Sequence, residues 1–386
     1  MNLKTAVAEL DRVNWSFPST GTRESSIHTV HRFAGNFIPQ IPAHLIQILS
    51  SPGELVFDPF VGSGTTVIEA LTLNRCALGN DQTRACVFIA EAKMRALKNP
   101  LRIDLRDAIA GELAWPHLCQ SSEVGAQGEG SSPELAAWYS DGTLAQLRYL
   151  WKLIERVDSD QRHLLTLIFS DVLFACASTI SAPTSGGKPR RHHWGWIADN
   201  VKPAQPADHN AASIFLERIL ATSMIQASNP CTEVSGKIIH GDARKLDVPS
   251  NSVDLIVTSP PYAGMIDYAL AHRLLYMWMN WDLSEDKNDE IGARYKRKRR
   301  NLLSEYLLDM DVCWKEMIRV LKPGRACAVV LGESRKYPGA AKQAFELFEA
   351  MAPQIWGPVG RTPTRRRLSD RQATEPVEFI SIFVKR

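Results

Sequence analysis

The sequence predicts an α/β protein whose doubly wound, mainly parallel sheet is divided into two blocks by a helical insertion. Residues 31–110 and 235–386 alternate short apolar runs with amphipathic segments, the pattern of strands followed by helices. A glycine-rich turn joins the first strand to its helix, which is typical of doubly wound sheets. Residues 111–234, between the blocks, carry apolar side chains at helical spacing. We expect residues 1–30 to be a partly ordered lead-in.

The first block begins with a loop and continues as two strand–helix units. Pro39 and Pro42 mark the loop, and an apolar helix follows as far as Leu49. The elements predicted after it are, in order, a strand ending at Asp58, a turn at 59–64, a helix at 65–73, a strand at 75–81 and a helix at 86–97.

The insertion is predicted to contain three helices and two irregular stretches. Residues 163–177 are nearly all apolar, so their helix must be buried. Two more helices are expected at 144–154 and 211–227. The irregular stretches are 120–133, which is rich in Ser, Gly and Glu, and 181–206, which is basic.

The second block resumes the alternation of strands and helices. A strand and turn (KIIHGDA) begins at Lys237, and a second strand (SVDLIVT) leads into the loop TSPPY. The predicted elements that follow are a helix to about Trp281, a helix at 306–320, a strand at 325–331 and a terminal strand at 377–385.

The composition fits one large domain with ample apolar material for a core, since 45% of the 386 residues are hydrophobic. The net charge of +3 is too small to imply a polyanionic partner by itself, so any such contact must come from local clusters. Seven scattered cysteines show no zinc-type pair, and we expect reduced thiols and no metal. No signal peptide or membrane-spanning run is evident, which predicts a cytoplasmic protein.

The turn after the first strand is the first candidate binding site. Its glycines let a ligand approach the backbone, and the following helix offers free N–H groups. A phosphate loop would need a lysine after the second glycine, and a dinucleotide loop would need a third glycine where Val67 stands. We therefore predict another kind of cofactor, bound by Asp58, Pro59, Phe60, Gly62, Ser63, Gly64, Thr65 and Thr66.

Two acids close neighbouring predicted strands. Asp81 is expected to accept hydrogen bonds from ribose hydroxyls, as an acid at this position does in dinucleotide-binding sheets. Asp242, with Ala243 beside it, is expected to accept from an adenine amino group. A turn-capping role for Asp242 is nearly as well supported by its position.

The loop Thr258–Tyr262 follows an apolar strand and therefore lies at the carboxyl edge of the sheet, where α/β proteins bind ligands. Pro260 and Pro261 have no N–H, so the loop presents the Ser259 hydroxyl and carbonyl oxygens as acceptors. Such acceptors suit an amino group, whose lone pair they would aim at an electrophile. Tyr262 offers a flat face for stacking a base. We predict that Ser259, Pro260, Pro261 and Tyr262 form the catalytic loop.

The strings DPFVGSGTT, GND, HGDA and TSPPY together resemble the amino-methyltransferases of DNA, the cytosine-N4 and adenine-N6 family. HRFAGNFIPQIP is similar to the family segment that encloses the methionine part of the cofactor, which adds Phe37 and Pro39 to the predicted cofactor site. The resemblance covers 31–110 and 237–335. It implies a Rossmann-like seven-stranded methyltransferase sheet, S-adenosylmethionine as cofactor and a target base turned out of the duplex.

Two details refine the resemblance. Serine as the first residue of SPPY is more typical of cytosine-N4 enzymes, so we expect cytosine N4 methylation, with adenine N6 as the first alternative. The cofactor block precedes the TSPPY block, whereas the opposite order is common among DPF-type enzymes. This order leaves the target-recognition region unassigned. A restriction or defence-system partner is a further expectation for a protein of this kind.

Basic clusters predict where DNA binds. They lie at 188–196, 294–300 and 365–367, and phosphate contact competes with an ordinary solvated basic face as their explanation. We also expect residues after TSPPY to lie near the extruded base. The candidate DNA-binding residues are Lys188, Arg190, Arg191, Asp267, Tyr268, Arg273, Lys296, Arg297, Lys298 and Arg299.

The sequence raises three further interpretations, of which the last two stay open. Pro230-Cys231 is similar to the nucleophile motif of carbon-5 cytosine methyltransferases, but TSPPY already holds the strand-end position, so Cys231 is interpreted as an ordinary thiol. The same catalytic loop would also serve an RNA base amino-methyltransferase. A catalytically inactive nucleic-acid-binding subunit is the third reading, which the intact TSPPY disfavours.

Overall fold

A twisted sheet forms the centre of the protein, and it carries the ligand-binding loops at one edge. The computed structural model describes residues 3–15, 17, 26–113, 132–181, 190–191, 202–227, 234–334, 336–357, 364–366 and 377–386. The strands are β1 (Leu55–Asp58), β2 (Cys76–Asp81), β3 (Ile180–Ser181), β4 (Arg190–Arg191), β5 (Gly236–His240), β6 (Val253–Thr258), β7 (Leu321–Gly332), β8 (Gln354–Trp356), β9 (Thr364–Arg366) and β10 (Val377–Val384).

The part of the chain that the structure describes contains thirteen α-helices. They are α1 (Leu3–Leu10), α2 (Gln40–Leu49), α3 (Thr65–Thr72), α4 (Arg84–Lys98), α5 (Ile103–Leu113), α6 (Asp141–Glu155), α7 (Ser159–Cys176), α8 (Ala211–Ala227), α9 (Tyr268–Ala271), α10 (Arg273–Met279), α11 (Leu283–Asp289), α12 (Leu302–Val320) and α13 (Ala340–Glu349).

The strand order is β5-β2-β1-β6-β7-β10-β8, with β9 paired to β10 outside this path. The pairs from β5 to β7 are parallel, whereas β10 runs antiparallel to β7, β8 and β9. The order reverses between β1 and β6, the switch point at which doubly wound sheets bind ligands. The predicted seven-stranded, Rossmann-like sheet of the methyltransferase type is therefore confirmed.

Alternate residues of each central strand face opposite layers of helices, as the two-residue period of a strand requires. Val56 and Leu255 belong to the apolar core that includes α2, α3 and α4, while Phe57 and Ile256 belong to the core under α12 and α13. All four side chains are almost completely buried. Burial on both faces explains why these strands are continuous apolar runs in the sequence.

The insertion packs directly on the first helical layer. The helix α7 contacts α4, α6, α8 and α10, and the ring of Phe169 lies 4.9 Å from that of Trp278. Asp171 on α7 accepts a 3.1 Å hydrogen bond from the backbone N–H of Arg32 and pairs with Arg218 at 3.1 Å. Because Arg32 precedes the loop that lines the cavity described below, the insertion buttresses that loop.

The structure differs from the sequence predictions in one helix of the second block and in the N-terminal lead-in. The helix expected to run to about Trp281 is two short helices, α9 and α10, joined at His272, and it ends at Asn280 in a left-handed conformation (φ 53°). The lead-in contains α1, whose Leu10 is fully buried, and Trp15 is also buried. The indole of Trp356 donates to Asp11 at 2.9 Å, which ties the lead-in to β8.

Candidate active site at the carboxyl edge of the sheet

The turn between β1 and α3 is held by left-handed glycines. Gly62 has φ 49° and Gly64 has φ 87°, a region that side-chain-bearing residues rarely adopt. A Cβ on Gly64 would lie 3.1 Å from the Cα of Ala90, because α4 crosses close to the turn. The glycines therefore allow both the sharp turn and the close helix contact.

Asp58, the last residue of β1, is buried beneath this turn. It accepts hydrogen bonds from the Phe60 N–H at 3.0 Å and from the Thr258 hydroxyl at 2.6 Å. Burial raises the pKa of Asp58 to about 6, although the bonds from Thr258 and Phe60 lower it and Asp81 adds to the rise. Asp58 thus joins the ends of β1 and β6.

Asp81, the last residue of β2, is held by two backbone N–H groups. One oxygen accepts from Gly62 at 3.0 Å and the other from Thr83 at 2.9 Å. Burial raises the pKa of Asp81 above its usual range, and these bonds oppose the rise. The carboxylate is therefore fixed in orientation against the glycine turn.

Asp242 has a different environment from the one expected for an adenine contact. Its carboxylate binds the guanidinium of Arg244 at 2.8 Å and accepts from the Arg244 N–H at 2.8 Å. Arg244 also pairs with Asp309 at 3.0 Å. The structure thus places Asp242 in a surface ion-pair network, which favours the turn-capping interpretation. Its neighbour Ala243 does face the cavity.

The TSPPY loop leaves β6 and bends past the ends of β1 and β7. Ser259 and Pro261 line the cavity, whereas Pro260 is buried behind them. Tyr262 does not line it. The ring of Tyr262 lies against β7, where a Cβ on Gly332 would come within 2.4 Å of its Cε2, and its hydroxyl donates to Glu378 at 3.2 Å. Base stacking by Tyr262 stays a prediction.

One cavity, with about 740 Å³ of space between protein atoms and part of it open to solvent, connects these groups. It brings together residues from the ends of three central strands, from the loop before α2 and from the segment after α11. The lining residues are Phe33, Gly35, Phe37, Asp58, Pro59, Phe60, Val61, Gly62, Ser63, Thr65, Asp81, Gln82, Thr83, Ala243, Ser259, Pro261, Tyr268, Glu290 and Ile291.

Several predicted cofactor residues stand behind this wall. Gly64 and Thr66 support the turn from inside, and Thr66 is almost fully buried. Pro39 immediately precedes α2 and does not line the cavity, while Phe37 does.

Sequence reasoning missed several lining residues, Glu290 above all. Glu290 is only 3% exposed, and one of its carboxyl oxygens accepts from the Tyr268 N–H. Acids also stand at positions 285, 286 and 289, so no pattern singled it out. Phe33 lies in the HRFAGNFIPQIP segment but was not among the predicted site residues, and its ring stacks on that of Tyr268 at 5.9 Å.

The basic segment 294–300 divides into two parts. Lys296 donates to the carbonyls of Asn288 and Glu290 at 3.0 and 2.7 Å, and Arg297 donates to the carbonyl of Gly264. These two side chains hold loops beside the cavity. Lys298, Arg299 and Arg300 are exposed.

The other candidate DNA-binding residues differ widely in placement. Tyr268 lines the cavity, and Asp267 accepts from the Tyr295 N–H at 2.8 Å. Arg273 is buried and paired with Glu134, so it does not reach the cavity as expected. Arg190 and Arg191 form β4, and Lys188 and Cys231 lie outside the described residues.

The described residues lack two features of other classes of protein. They contain no cluster of three or more His, Cys, Asp or Glu side chains suited to a metal ion. Among the helices that the structure describes, none has an apolar stretch long enough to span a membrane.

The strand order, the glycine turn and the SPPY loop on one cavity define a methyltransferase of the Rossmann-like class. Residues 7–92 match the N6/N4 DNA methylase family. The Type II methyltransferase M.MjaII of Methanocaldococcus jannaschii is 21% identical across 84% of this chain and 74% of its own. The Type II methyltransferase M.MvaI of Kocuria varians is 19% identical across 80% of this chain and 76% of its own.

A solved S-adenosylmethionine-dependent methyltransferase from Methanosarcina mazei superposes over 88% of this chain and 96% of that chain, with 10% identity and a TM-score of 0.34. The strand order of this chain defines its fold. Residues 7–92 are thus similar to the N6/N4 DNA methylases, and most of the chain is similar to two Type II methyltransferases. S-adenosylmethionine is the cofactor that this family implies.

Proposed function

We propose that this protein transfers a methyl group from S-adenosylmethionine to the exocyclic amino nitrogen of a DNA base, with cytosine N4 as the favoured target. One observation carries the proposal. Ser259 and Pro261, at the end of β6, line the same cavity as Gly62 and Asp81, at the ends of β1 and β2. The acceptors for an amino group and the groups suited to the cofactor therefore face one space.

The residues that line the cavity suit the cofactor. The turn at 59–64 gives close backbone approach, and Asp81 is oriented by two N–H donors. Phe33, Phe37 and Ala243 add apolar surface. The carboxyl groups on the wall suit a ligand that carries positive charge. When bound, this cofactor supplies an electrophilic methyl group on a sulfonium.

The protein's part in the reaction is to orient the amino nitrogen. Because prolines at 260 and 261 lack N–H groups, these two positions offer no backbone donor, and the Ser259 hydroxyl and the loop carbonyls are the acceptors available to an amino group. Two N–H donors held by such acceptors leave the nitrogen lone pair free to point at the methyl carbon. Alignment of this kind contributes most of the acceleration available to a direct displacement.

A base inside a duplex cannot reach a cavity at a sheet edge, so the target base must leave the stack. Lys298, Arg299 and Arg300 are exposed and lie in the segment that also packs against the cavity loops, and their positive charge supports contact with phosphates. The preference for cytosine rests on Ser259 as the first residue of the motif.

The test is to incubate the purified protein with unmethylated DNA and S-adenosylmethionine, digest the DNA to nucleosides and identify the product by mass spectrometry. We expect N4-methylcytosine. N6-methyladenine would contradict the base assignment alone, and a product found only in a parallel incubation with RNA would contradict the proposal. Ser259→Ala should lower the rate at least about tenfold, whereas Ser213→Ala, on the exposed face of α8, should not change it.

A further inference from the structure

Glu290 has an oxygen that the described protein leaves without a partner. Its Oε1 accepts from the Tyr268 N–H, whereas Oε2 is buried and has no hydrogen-bond partner among the residues that the structure describes. The side chain lines the same cavity as Asp58 and Asp81. A buried polar atom without a partner costs free energy unless a ligand or water meets it. The unpartnered oxygen of Glu290 therefore indicates that a ligand or a water molecule binds beside it.

The charges on the cavity wall indicate the kind of group. Asp58, Asp81 and Glu290 line the cavity, and no lysine, arginine or histidine does so among the described residues. Buried carboxylates without a compensating cation are costly. The wall as a whole is therefore complementary to a cationic ligand.

The charged and titratable groups around Glu290 come from several elements. Asp267 precedes α9 and Asp81 ends β2, and both raise the pKa of Glu290. Lys296 binds the Glu290 backbone carbonyl, while the half-buried Tyr268 and the buried Cys86 are neighbours. Burial is the largest cause and, opposed by the backbone bonds from Tyr268 and Ala269, it raises the pKa of Glu290 to about 8. At neutral pH the free protein therefore holds this carboxyl mainly protonated.

We propose that Glu290 is a cofactor-binding residue that releases its proton when a cationic ligand enters the cavity, so that the protein binds the sulfonium donor in preference to the uncharged thioether product. The proposal rests on the proposed function, because it takes S-adenosylmethionine as the ligand. A nearby positive charge favours the ionised carboxylate, and the proton passes to solvent. The thioether product lacks the sulfonium charge, so its binding should cause a smaller fraction of the Glu290 carboxyls to lose the proton.

Because ligand binding and proton release are coupled, the proposal predicts how affinity depends on pH and how many protons binding releases. If the ligand binds mainly to the ionised carboxylate, affinity rises by up to about tenfold for each pH unit below the pKa and levels off above it. At pH 7, binding should release close to one proton per site. The neutral amide of glutamine can still accept from the Tyr268 N–H, so Glu290→Gln preserves the internal contact and removes only the titration.

The experiment is isothermal titration calorimetry without DNA, at pH 7, in phosphate and in Tris, whose ionisation enthalpies differ. Titrants are S-adenosylmethionine and S-adenosylhomocysteine. In the wild type we expect release of about one proton with the first and less than half of that with the second. Glu290→Gln should abolish most of the release and bring the two affinities closer together. Glu349→Gln, exposed at the end of α13, should behave as wild type.

Two outcomes would overturn the inference. Equal proton release by wild type and Glu290→Gln would show that Glu290 does not meet the cofactor. Equal proton release with S-adenosylmethionine and S-adenosylhomocysteine would show that the sulfonium charge does not cause Glu290 to lose its proton. Because no methyl transfer is measured, either outcome leaves the proposed function intact if S-adenosylmethionine binds. Failure of S-adenosylmethionine to bind at all would overturn both.

Discussion

The hydroxyl of Thr258 donates a 2.6 Å hydrogen bond to the carboxylate of Asp58, although the two residues are 200 positions apart in the chain. Thr258 ends β6 and immediately precedes the SPPY loop, while Asp58 ends β1 and begins the glycine turn. Both residues are buried. This contact fixes the distance between the part of the cavity suited to the cofactor and the part suited to the amino group.

Replacing Thr258 with valine should loosen that connection. Valine keeps the β-branched shape but leaves the buried Asp58 with one donor fewer, so we expect a loss of about 1–3 kcal/mol in the free energy of unfolding. Urea denaturation checks this value. Thr258→Ser retains the hydroxyl and should lose less than half as much. Equal losses in both variants would show that packing, and not the hydrogen bond, holds the strand ends together.

The titration of Glu290 predicts how stability changes with pH. Its pKa in the folded protein is raised from 4.5 to about 8, so between these values the folded state binds more protons than the unfolded state. Stability from this group therefore falls as pH rises from about 4.5 to 8. Glu290→Gln should match the wild type near pH 4.5 and exceed it above pH 8, by no more than roughly 5 kcal/mol.

Urea denaturation at pH 5, 7 and 9 measures this divergence. Glu349→Gln should run parallel to the wild type, because its side chain is exposed. A constant difference between Glu290→Gln and the wild type at all three pH values would mean that Glu290 is already ionised throughout.

Gly332 controls the position of Tyr262. A methyl group at this position would lie 2.4 Å from Cε2 of the Tyr262 ring, so Gly332→Ala must displace the ring. We expect the methylation rate to fall at least about tenfold, as small misplacements in an aligned site do, while cofactor affinity changes less than twofold. Tyr262→Phe keeps the ring and removes the hydroxyl that donates to Glu378, so it serves as the control. Full activity in Gly332→Ala would exclude a role for the ring position.

Lys298 and Arg300 test the proposed DNA contact. Both are exposed, unlike Lys296 and Arg297, whose side chains hold neighbouring loops. Changing both exposed residues to glutamine should reduce the slope of log affinity against log salt concentration by about 2. Fluorescence anisotropy with duplex DNA measures this slope, and cofactor binding should not change. Changing Lys315 and Lys342 together to glutamine supplies the control, which should keep the wild-type slope. An unchanged slope in the Lys298 and Arg300 variant would show that DNA does not contact these two residues.

Local sequence patterns predicted most of the sheet and the turn at its edge. The apolar runs that became β1, β2 and β6 are buried on both faces, so their hydrophobicity is continuous and easily recognised. The glycine turn was predictable because positive φ angles demand glycine at 62 and 64. These features depend on residues that are close together in the chain.

The groups that were missed or misplaced depend on contacts between distant segments. Asp242 has the position of an adenine-binding acid, but Arg244 and Asp309 on α12 engage it. Arg273 follows the SPPY loop, but Glu134 from the insertion pairs with it. Glu290 reaches the cavity only because its loop folds back over the sheet edge. None of these pairings leaves a signal in the spacing of the residues involved.

The strand β1 lies between β2, which follows it closely, and β6, which is synthesised much later. During translation at 5–20 residues per second, roughly 10–40 s separate the two strands. Throughout that interval one edge of β1, with the apolar Val56 and Phe57, has no hydrogen-bonding neighbour. The growing polypeptide thus exposes an aggregation-prone strand edge on the ribosome, and its yield in cells should depend on chaperones that shield nascent chains.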